Sequence, residues 1–237
     1  MHDFQNTSTS SCLGFLVDEL SRKHEVYPAS NPLIFGSQDL APLRQHLSAQ
    51  SHIKLSRRDK LHLAVIIASS VLQLYETPWL QATWSSDDIF FGQPEKKLMH
   101  ERVFVSKFTT DDRQAQQSGA RLHATLPLVP NDSIFALGIL LIELCLSASL
   151  AELRKPEDVT AAGGTVNAVS DFITATRLID DVYQEGGSRY GSAVRRCIRC
   201  EFDQRRSNLD DDGFRQAVYM GVVKVLEEDL ESFDRLP

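Results

Sequence analysis

The sequence predicts a mainly α-helical fold with two to four short β-strands. Residues 60–75 have apolar side chains around most of the circumference of a helix, and residues 134–147 are apolar almost without interruption. A helix with this distribution lies inside a domain rather than on its surface. Two further segments, 166–185 and 214–233, repeat apolar residues at helical spacing. These four segments predict the helical core.

Local signals place the beginnings of the two buried helices. Ser56 and Asp59 have the spacing of a capping box, in which each side chain accepts a hydrogen bond from the other residue's backbone N–H. This pair predicts the start of the helix over residues 60–75. Asn131 precedes the second buried helix, and its side chain suits an N-cap.

Similar signals divide the second half of the chain. Gly186 and Gly187 predict the end of the helix over residues 166–185. A short helix is expected over residues 192–202. The acidic residues 210–212 predict the N-terminal cap of the last helix, because negative charge stabilises a helix N-terminus.

The first half of the chain predicts shorter elements. Residues 88–92 and 102–106 have the pattern of two strands of a β-hairpin, and residues 33–35 predict another strand. Short helices are expected over residues 11–24 and 37–47, where apolar residues recur at helical spacing.

Prolines suggest the domain organisation. Pro28 and Pro32 interrupt the pattern after the first predicted helix. We therefore expect an N-terminal extension with a short helix over residues 1–32. A helical domain is expected over residues 33–237.

The composition argues against several functional classes. Of 237 residues, 42% are hydrophobic and 24% are charged, as in ordinary globular proteins, and the net charge is −7. A pI near 5.5 without a strong basic run argues against a nucleic-acid surface. The longest apolar run, residues 134–146, is shorter than the ~20 residues of a membrane span. Because the N-terminus shows no secretory signal, we expect a cytoplasmic protein with reduced thiols.

No motif predicts a catalytic, cofactor-binding or metal-ligating residue. Cys197 and Cys200 have the spacing of half a zinc site or a redox pair, but no second pair at ligand spacing accompanies them. We interpret both as core-facing helix positions. Residues 208–213 resemble the start of a calcium loop, but the twelfth position is Tyr219 where a bidentate Glu is required. Neither glycine-rich phosphate-binding motif is present.

Three stretches resemble, in order, the C-terminal lobe of a protein kinase. Residues 61–74 and then 88–91 are similar to the long helix before the catalytic loop and to the strand after it. Residues 133–144 resemble the large buried helix of that lobe, with its "LLxEL" ending, and residues 197–207 resemble the late "CLxxDPxxRPS" segment. The resemblance implies a kinase C-lobe-like helical domain without the N-terminal lobe.

The matched positions lack the residues that phosphoryl transfer requires. Counted back from Asp88, the His-Arg-Asp triplet of kinases falls on Gln81, Ala82 and Thr83, so the catalytic base is absent. No Asp-Phe-Gly or Ala-Pro-Glu motif follows, which leaves Arg205 without an evident partner. The resemblance therefore implies a catalytically inactive, pseudokinase-like module without a cofactor.

A second resemblance is closer. The segments LHLAVIIASSVLQLYETPWL, WSSDDIFF and SIFALGILLIELCL resemble a fungal domain of unknown function. That family has degenerate kinase-like character, and some members occur beside prion-inhibition and propagation domains. The resemblance implies a fungal, cytoplasmic protein that regulates a protein partner by binding it.

Two alternatives remain open at this stage. One is a residual nucleotide-binding or phosphotransferase enzyme with rearranged ligands, and the other is a truncated product that needs a missing N-terminal domain. The acidic residues available to the enzyme are Asp87, Asp88, Asp111 and Asp112. An exposed apolar face with Trp79, Trp84 and Phe35 would support the truncated product, although core packing is the simpler expectation for the two tryptophans.

Overall fold

The structure is a computed structural model of the whole chain. It describes residues 14–17, 22–26, 40–47, 54–75, 77, 84–92, 103–105, 129–203 and 207–235. The chain divides into two compact units, residues 1–37 and residues 38–237.

The described part of the first unit is a β-hairpin. Strand β1 (Gly14–Val17) pairs antiparallel with β2 (Lys23–Val26), and Gly14 lies opposite Val26. The helix predicted over residues 11–24 is therefore wrong. A short apolar run such as Phe15 to Val17 has no periodicity that separates a strand from a helix, and pairing with β2 decides between them.

The second unit contains the other elements. In chain order they are β3 (Leu40–Pro42), α1 (Leu43–His46), α2 (Arg57–Leu74), β4 (Ile89–Gly92), β5 (Val103–Val105), α3 (Asp132–Leu146), α4 (Leu150–Leu153), α5 (Pro156–Ala161), α6 (Ala168–Arg199), α7 (Asp212–Val218), a π turn (Tyr219–Val223) and α8 (Lys224–Asp234). The mainly α-helical class is confirmed. Five short strands are present among the described residues, more than the two to four expected, because residues 14–17 and 23–26 form a hairpin instead of the expected helix.

Strands β3, β4 and β5 form one antiparallel sheet with β4 in the centre. Ile89 of β4 lies opposite Val105 of β5, which confirms the predicted pairing of these two strands. Leu40 lies opposite Gly92, so the predicted helix over residues 37–47 is shortened to α1. Pro42 explains the boundary, since the residue before a proline avoids the helical conformation. The strand predicted over residues 33–35 lies outside the described residues.

The two buried helices begin where the sequence predicts. Asp59 N–H donates to Ser56 Oγ at 3.2 Å, and Ser56 N–H donates to Asp59 Oδ2 at 3.0 Å, which completes the capping box of α2. Asn131 Oδ1 accepts from Ile134 N–H at 2.9 Å and caps α3. α3 provides most of the core, because twelve of its residues are buried.

Helix α6 is broken at Gly187. The φ angle of Gly187 is 86°, a left-handed value at which a side chain is strained, so the two glycines interrupt the helix as the sequence predicts. The chain then returns to helix and continues to Arg199. Beyond the break, Tyr190 is fully buried and its hydroxyl donates to the carbonyl of Leu141 at 2.9 Å. Gly191 lies under the ring of Tyr183, where an added Cβ would approach ring atoms to 2.5 Å.

The last helix contains a π turn that the sequence analysis missed. Buried apolar residues recur at every fourth position, Phe214, Val218, Val222 and Leu226. An α-helix has 3.6 residues per turn, so a strict four-residue recurrence drifts around the helix. The wider π turn absorbs this drift and keeps all four side chains on the core face.

A buried ionic network joins α4 and α5 to α6. Asp158 is almost completely buried and accepts hydrogen bonds from Arg177 Nη2 at 2.8 Å, Thr174 Oγ1 at 3.1 Å and Lys155 N–H at 3.0 Å. Arg177 Nη2 also donates to the carbonyl of Leu153 at 2.9 Å. Because these charges are paired and hydrogen-bonded, their burial does not carry the cost of an isolated charge.

A second buried pair belongs to the same helices. Arg154 pairs with Asp171, and both side chains are buried.

Among the described helices, none has the length and apolarity required to cross a bilayer.

The Gly191→Ala substitution is expected to destabilise the protein by about 1–3 kcal/mol, because the new methyl group collides with the ring of Tyr183. The expected change in stability is opposite in sign to the one that helix propensity alone predicts, since propensity favours Ala over Gly by ~1 kcal/mol. Urea unfolding measures the change. Gly213→Ala, at an exposed position of α7, is the control and is expected to be neutral or stabilising. An unchanged or increased stability of Gly191→Ala would contradict the packing described for Tyr183.

The acid stability of the protein should depend on Asp158. Its pKa is about 2, below the ordinary 3.8, chiefly because Arg177 donates hydrogen bonds to the carboxylate. A lowered pKa in the folded state contributes stability that is complete above about pH 4 and is lost as the pH falls towards 2. We expect Asp158→Asn to cost about 2 kcal/mol at pH 7 and progressively less below pH 4.

Urea unfolding between pH 2 and pH 7 measures this dependence. Asp180→Asn, at an exposed position of α6, is the matched control and should follow the wild type throughout. A difference between Asp158→Asn and wild type that stays constant over this pH range would show that the carboxylate charge is not responsible.

Candidate functional site

Two of the four acidic residues that the sequence offers for metal or phosphate chemistry, Asp87 and Asp88, lie in a turn before β4. Asp88 N–H donates to the carbonyl of Ser85 at 3.1 Å, which closes the turn. Asp88 Oδ2 accepts from the Ser85 N–H at 2.8 Å and from the Ser85 hydroxyl at 3.2 Å. Side chains of Asp that bond to backbone two or three residues away stabilise turns. Asp88 therefore holds the turn that leads into β4.

Asp87 points to a different partner. Its Oδ2 lies 2.8 Å from Arg44 Nη1, and both side chains are about half exposed. The backbone supports the same contact, because Arg44 N–H donates to the carbonyl of Ser86 at 3.2 Å. An exposed pair of this kind contributes little stability, and it ties α1 to the turn. The two adjacent carboxylates thus serve two separate structural contacts.

The remaining candidate residues divide between the core and the part that is not described. Trp84 is buried, which agrees with core packing. Trp79, Phe35, Asp111, Asp112 and Arg205 lie outside the described residues. Within the described ranges, no group of three or more His, Cys, Asp or Glu side chains has the geometry to hold a metal ion.

The thiols occupy structural positions. Cys197 is buried in α6, as the sequence predicts. Cys200 is half-buried at the C-cap of α6, where its φ of 51° ends the helix. Burial raises the pKa of Cys145 to about 11 and also raises the pKa of Cys197. Protonated, buried thiols are weak nucleophiles and weak metal ligands.

Glu143 is the one acid within the apolar sequence of α3. It is buried, and its Oε1 accepts from the backbone N–H of Leu150 at 2.8 Å. Leu150 is the first residue of α4, so the carboxylate satisfies a donor that has no partner inside that helix. A buried carboxylate aimed at a helix N-terminus is favourable both as a hydrogen bond and for the helix dipole.

Three basic side chains in the first turn of α2 make contacts far along the chain. Lys60 Nζ donates to the carbonyl of Cys145 at 2.9 Å, near the C-terminal end of α3. Arg57 Nη2 donates to the carbonyl of Gly186 at 3.1 Å, immediately before the break in α6. Arg58 binds Asp234, the last residue of α8. We call Arg57, Arg58 and Lys60 the α2 clamp.

The Arg58 contact is bidentate. Nε lies 2.7 Å from Asp234 Oδ1, and Nη2 lies 3.2 Å from Oδ2. The hydrogen bond from Arg58 lowers the pKa of Asp234. Bidentate pairing fixes the direction of both side chains more strongly than a single contact does.

The α2 clamp places positive charge at three helix ends that carry negative partial charge. The last carbonyls of a helix lack intrahelical partners, and cations stabilise them. The same three residues are unfavourable for α2, since cations oppose the positive end of its own dipole. Asp59 and the capping box offset part of this cost within α2.

The capping box is predicted from the sequence, but the α2 clamp is not. A signal was present, because three cations within the first four residues of a helix are unexpected on dipole grounds. This anomaly indicates that the cations have partners elsewhere. It does not name those partners, because they lie far away along the chain.

The comparisons with known proteins identify a family but do not assign an activity. The model of a family described as "Domain of unknown function (DUF7580)" matches residues 15–233. This chain belongs to that family. Searches of curated proteins and of solved structures returned no match. The family covers both compact units and carries no assigned reaction.

Lys60→Met tests the α2 clamp. Methionine keeps the apolar length of the side chain but cannot donate to the carbonyl of Cys145, so we expect a loss of about 1–2 kcal/mol in the free energy of unfolding. Lys54→Met, at an exposed position before α2, is the control and should be close to neutral. Thermal and urea unfolding measure both variants. Equal stability of Lys60→Met and wild type would mean that the clamp does not hold α3.

Proposed function

We propose that this protein is a catalytically inactive, pseudokinase-like module that regulates other proteins by binding them. The observation that carries the proposal is the set of hydrogen bonds that Asp88 accepts. This residue occupies the position that matches the catalytic-loop Asn of kinases, and its Oδ2 accepts two hydrogen bonds from Ser85. A metal ligand of a kinase needs its oxygens directed at the ion. Here the Oδ2 atom accepts two hydrogen bonds that hold the turn.

Two further observations support the proposal. The long helix α2 precedes the short strand β4, and the apolar helix α3 follows, which is the order of elements that the resemblance to a kinase C-terminal lobe implies. The positions that match the His-Arg-Asp triplet are Gln81, Ala82 and Thr83. A scaffold of this kind retains surfaces for binding while lacking the groups that stabilise a transferring phosphoryl group.

The resemblance to a fungal domain also supports a proposal about the cell and the compartment in which the protein acts. It favours a fungal cell, a cytoplasmic location and a role beside regulatory domains such as those of prion inhibition and propagation. The partner in this proposal is another protein. The second candidate, a residual phosphotransferase, is less favoured because Asp87 and Asp88 bond in different directions, to Arg44 and to Ser85.

Thermal unfolding with and without millimolar ATP and Mg²⁺ tests the proposal. A ligand at about 100 times its dissociation constant raises stability by about 2.7 kcal/mol, so binding would be detected as a higher midpoint. We expect no shift. An active kinase measured in parallel is the positive control.

Two variants show what the turn acids do. Asp88→Ala should lower the unfolding midpoint, because the Ser85 N–H loses its acceptor, and Asp87→Ala should change it little. Neither should respond to ATP. A Mg²⁺-dependent rise in the wild type that disappears in Asp88→Ala would overturn the proposal in favour of nucleotide binding.

A further inference from the structure

The π turn exposes two large apolar side chains on an otherwise polar face. Tyr219 is 39% exposed and Met220 is 45% exposed, although both lie in a helix whose other large apolar residues face the core. Among the residues that the structure describes, the only other large apolar side chain with comparable exposure is Val166. π turns within α-helices occur frequently at functional sites. The turn keeps the core face in register and leaves this pair on the surface.

The C-terminal end of α6 lies beside the π turn. An ideal Cβ on Gly221 would lie 3.2 Å from Arg196 Nη1, so this guanidinium group covers the backbone next to Met220. Arg196 forms no ion pair with any residue in the described ranges. A Cβ at this position would require the Arg196 side chain to move by a few tenths of an ångström.

Two more arginines extend the positive charge. Arg195 and Arg199 are 43% and 47% exposed. Glu201 lies 3.3 Å from Arg195 and 3.7 Å from Arg199, so one carboxylate faces two guanidinium groups. The charge of Arg215, one turn before Tyr219, is balanced by Asp212. Part of the excess charge stabilises the negative end of the α6 dipole, and the rest is presented to solvent.

We propose that this surface, formed by Tyr219, Met220, Arg195, Arg196 and Arg199, binds an acidic segment of a partner protein. The whole chain has a net charge of −7, so a positive surface is a local exception. A negatively charged partner would be complementary to it. Tyr, Met and Arg are also the residue types that are enriched at protein interfaces. An apolar side chain of the segment packs on Tyr219 and Met220, and its carboxylates face the arginines. The proposal rests on the protein-binding function proposed above.

Selection from a random peptide library on the intact chain tests this surface. We expect the selected peptides to be rich in Asp and Glu and to contain at least one large apolar residue. Fluorescence anisotropy with a labelled selected peptide then gives dissociation constants for wild type and variants. Arg196→Glu and Met220→Glu should each weaken binding about tenfold or more, since residues at the centre of an interface carry most of its energy.

A matched control tests whether peptide binding depends on this surface or only on the net charge of the protein. Arg235→Glu makes the same change of charge roughly 20 Å further along the last helix, and binding should stay within about twofold of wild type. Circular dichroism and the unfolding midpoint establish that each variant is folded. A single-stranded DNA oligonucleotide is the second probe, and we expect weak binding that does not depend on Arg196.

Three results would overturn the proposal. Peptides that bind the wild type and both variants equally would leave the binding function intact but place the docking surface elsewhere. A selection without acidic peptides would remove the charge complementarity on which the surface depends. Tight binding of the DNA that is lost in Arg196→Glu would assign the surface to nucleic acid. The ATP measurement above decides the non-catalytic function independently of all three.

Discussion

The helical unit depends on the contacts that the first turn of α2 makes with the ends of three other helices. Lys60, Arg57 and Arg58 reach α3, the first half of α6 and α8. Lys60 and Arg57 satisfy backbone carbonyls near helix C-termini, where such carbonyls lack intrahelical partners, and Arg58 pairs with the carboxylate of Asp234. The capping box of Ser56 and Asp59 fixes the direction of the turn from which these side chains extend. One short segment therefore contacts three other helices of the unit.

The break at Gly187 follows from the same arrangement. Gly186 offers its carbonyl to Arg57, and the left-handed conformation of Gly187 interrupts the helix immediately afterwards. After the break, Tyr190 enters the core and bonds to Leu141, while Gly191 accommodates the ring of Tyr183. Glycine is required twice within a few residues, once for its backbone conformation and once for its missing side chain. The helix bends because packing against α3 stabilises the bent form.

The charged side chains of this protein have two kinds of surroundings, one typical of structural contacts and one typical of binding surfaces. Asp88 accepts hydrogen bonds from Ser85, and Asp158 accepts them from Arg177 and from the backbone of Lys155, so both carboxylates stabilise local structure. Around the π turn, by contrast, Arg195 and Arg199 share a single neighbouring carboxylate, and Arg196 covers the backbone next to the exposed Met220. Unbalanced charge beside exposed apolar area is typical of binding surfaces rather than of cores.

The sequence by itself determined the local features: the mainly α-helical class, the capping box of α2, the N-caps of α3 and α7, the paired strands β4 and β5, and the interruption at Gly186 and Gly187. These features depend on residues within one or two helical turns of each other, or on a short hairpin. Tertiary structure alone decided that Gly14–Val17 is a strand and that Leu40–Pro42 joins the sheet, because the pairing partner selects the conformation of a short apolar run. It also decided where the three cations of α2 bind and how the arginines of α6 meet the π turn. Those contacts join residues that are far apart in the chain, and the periodicity of a sequence contains no information on which distant ends meet.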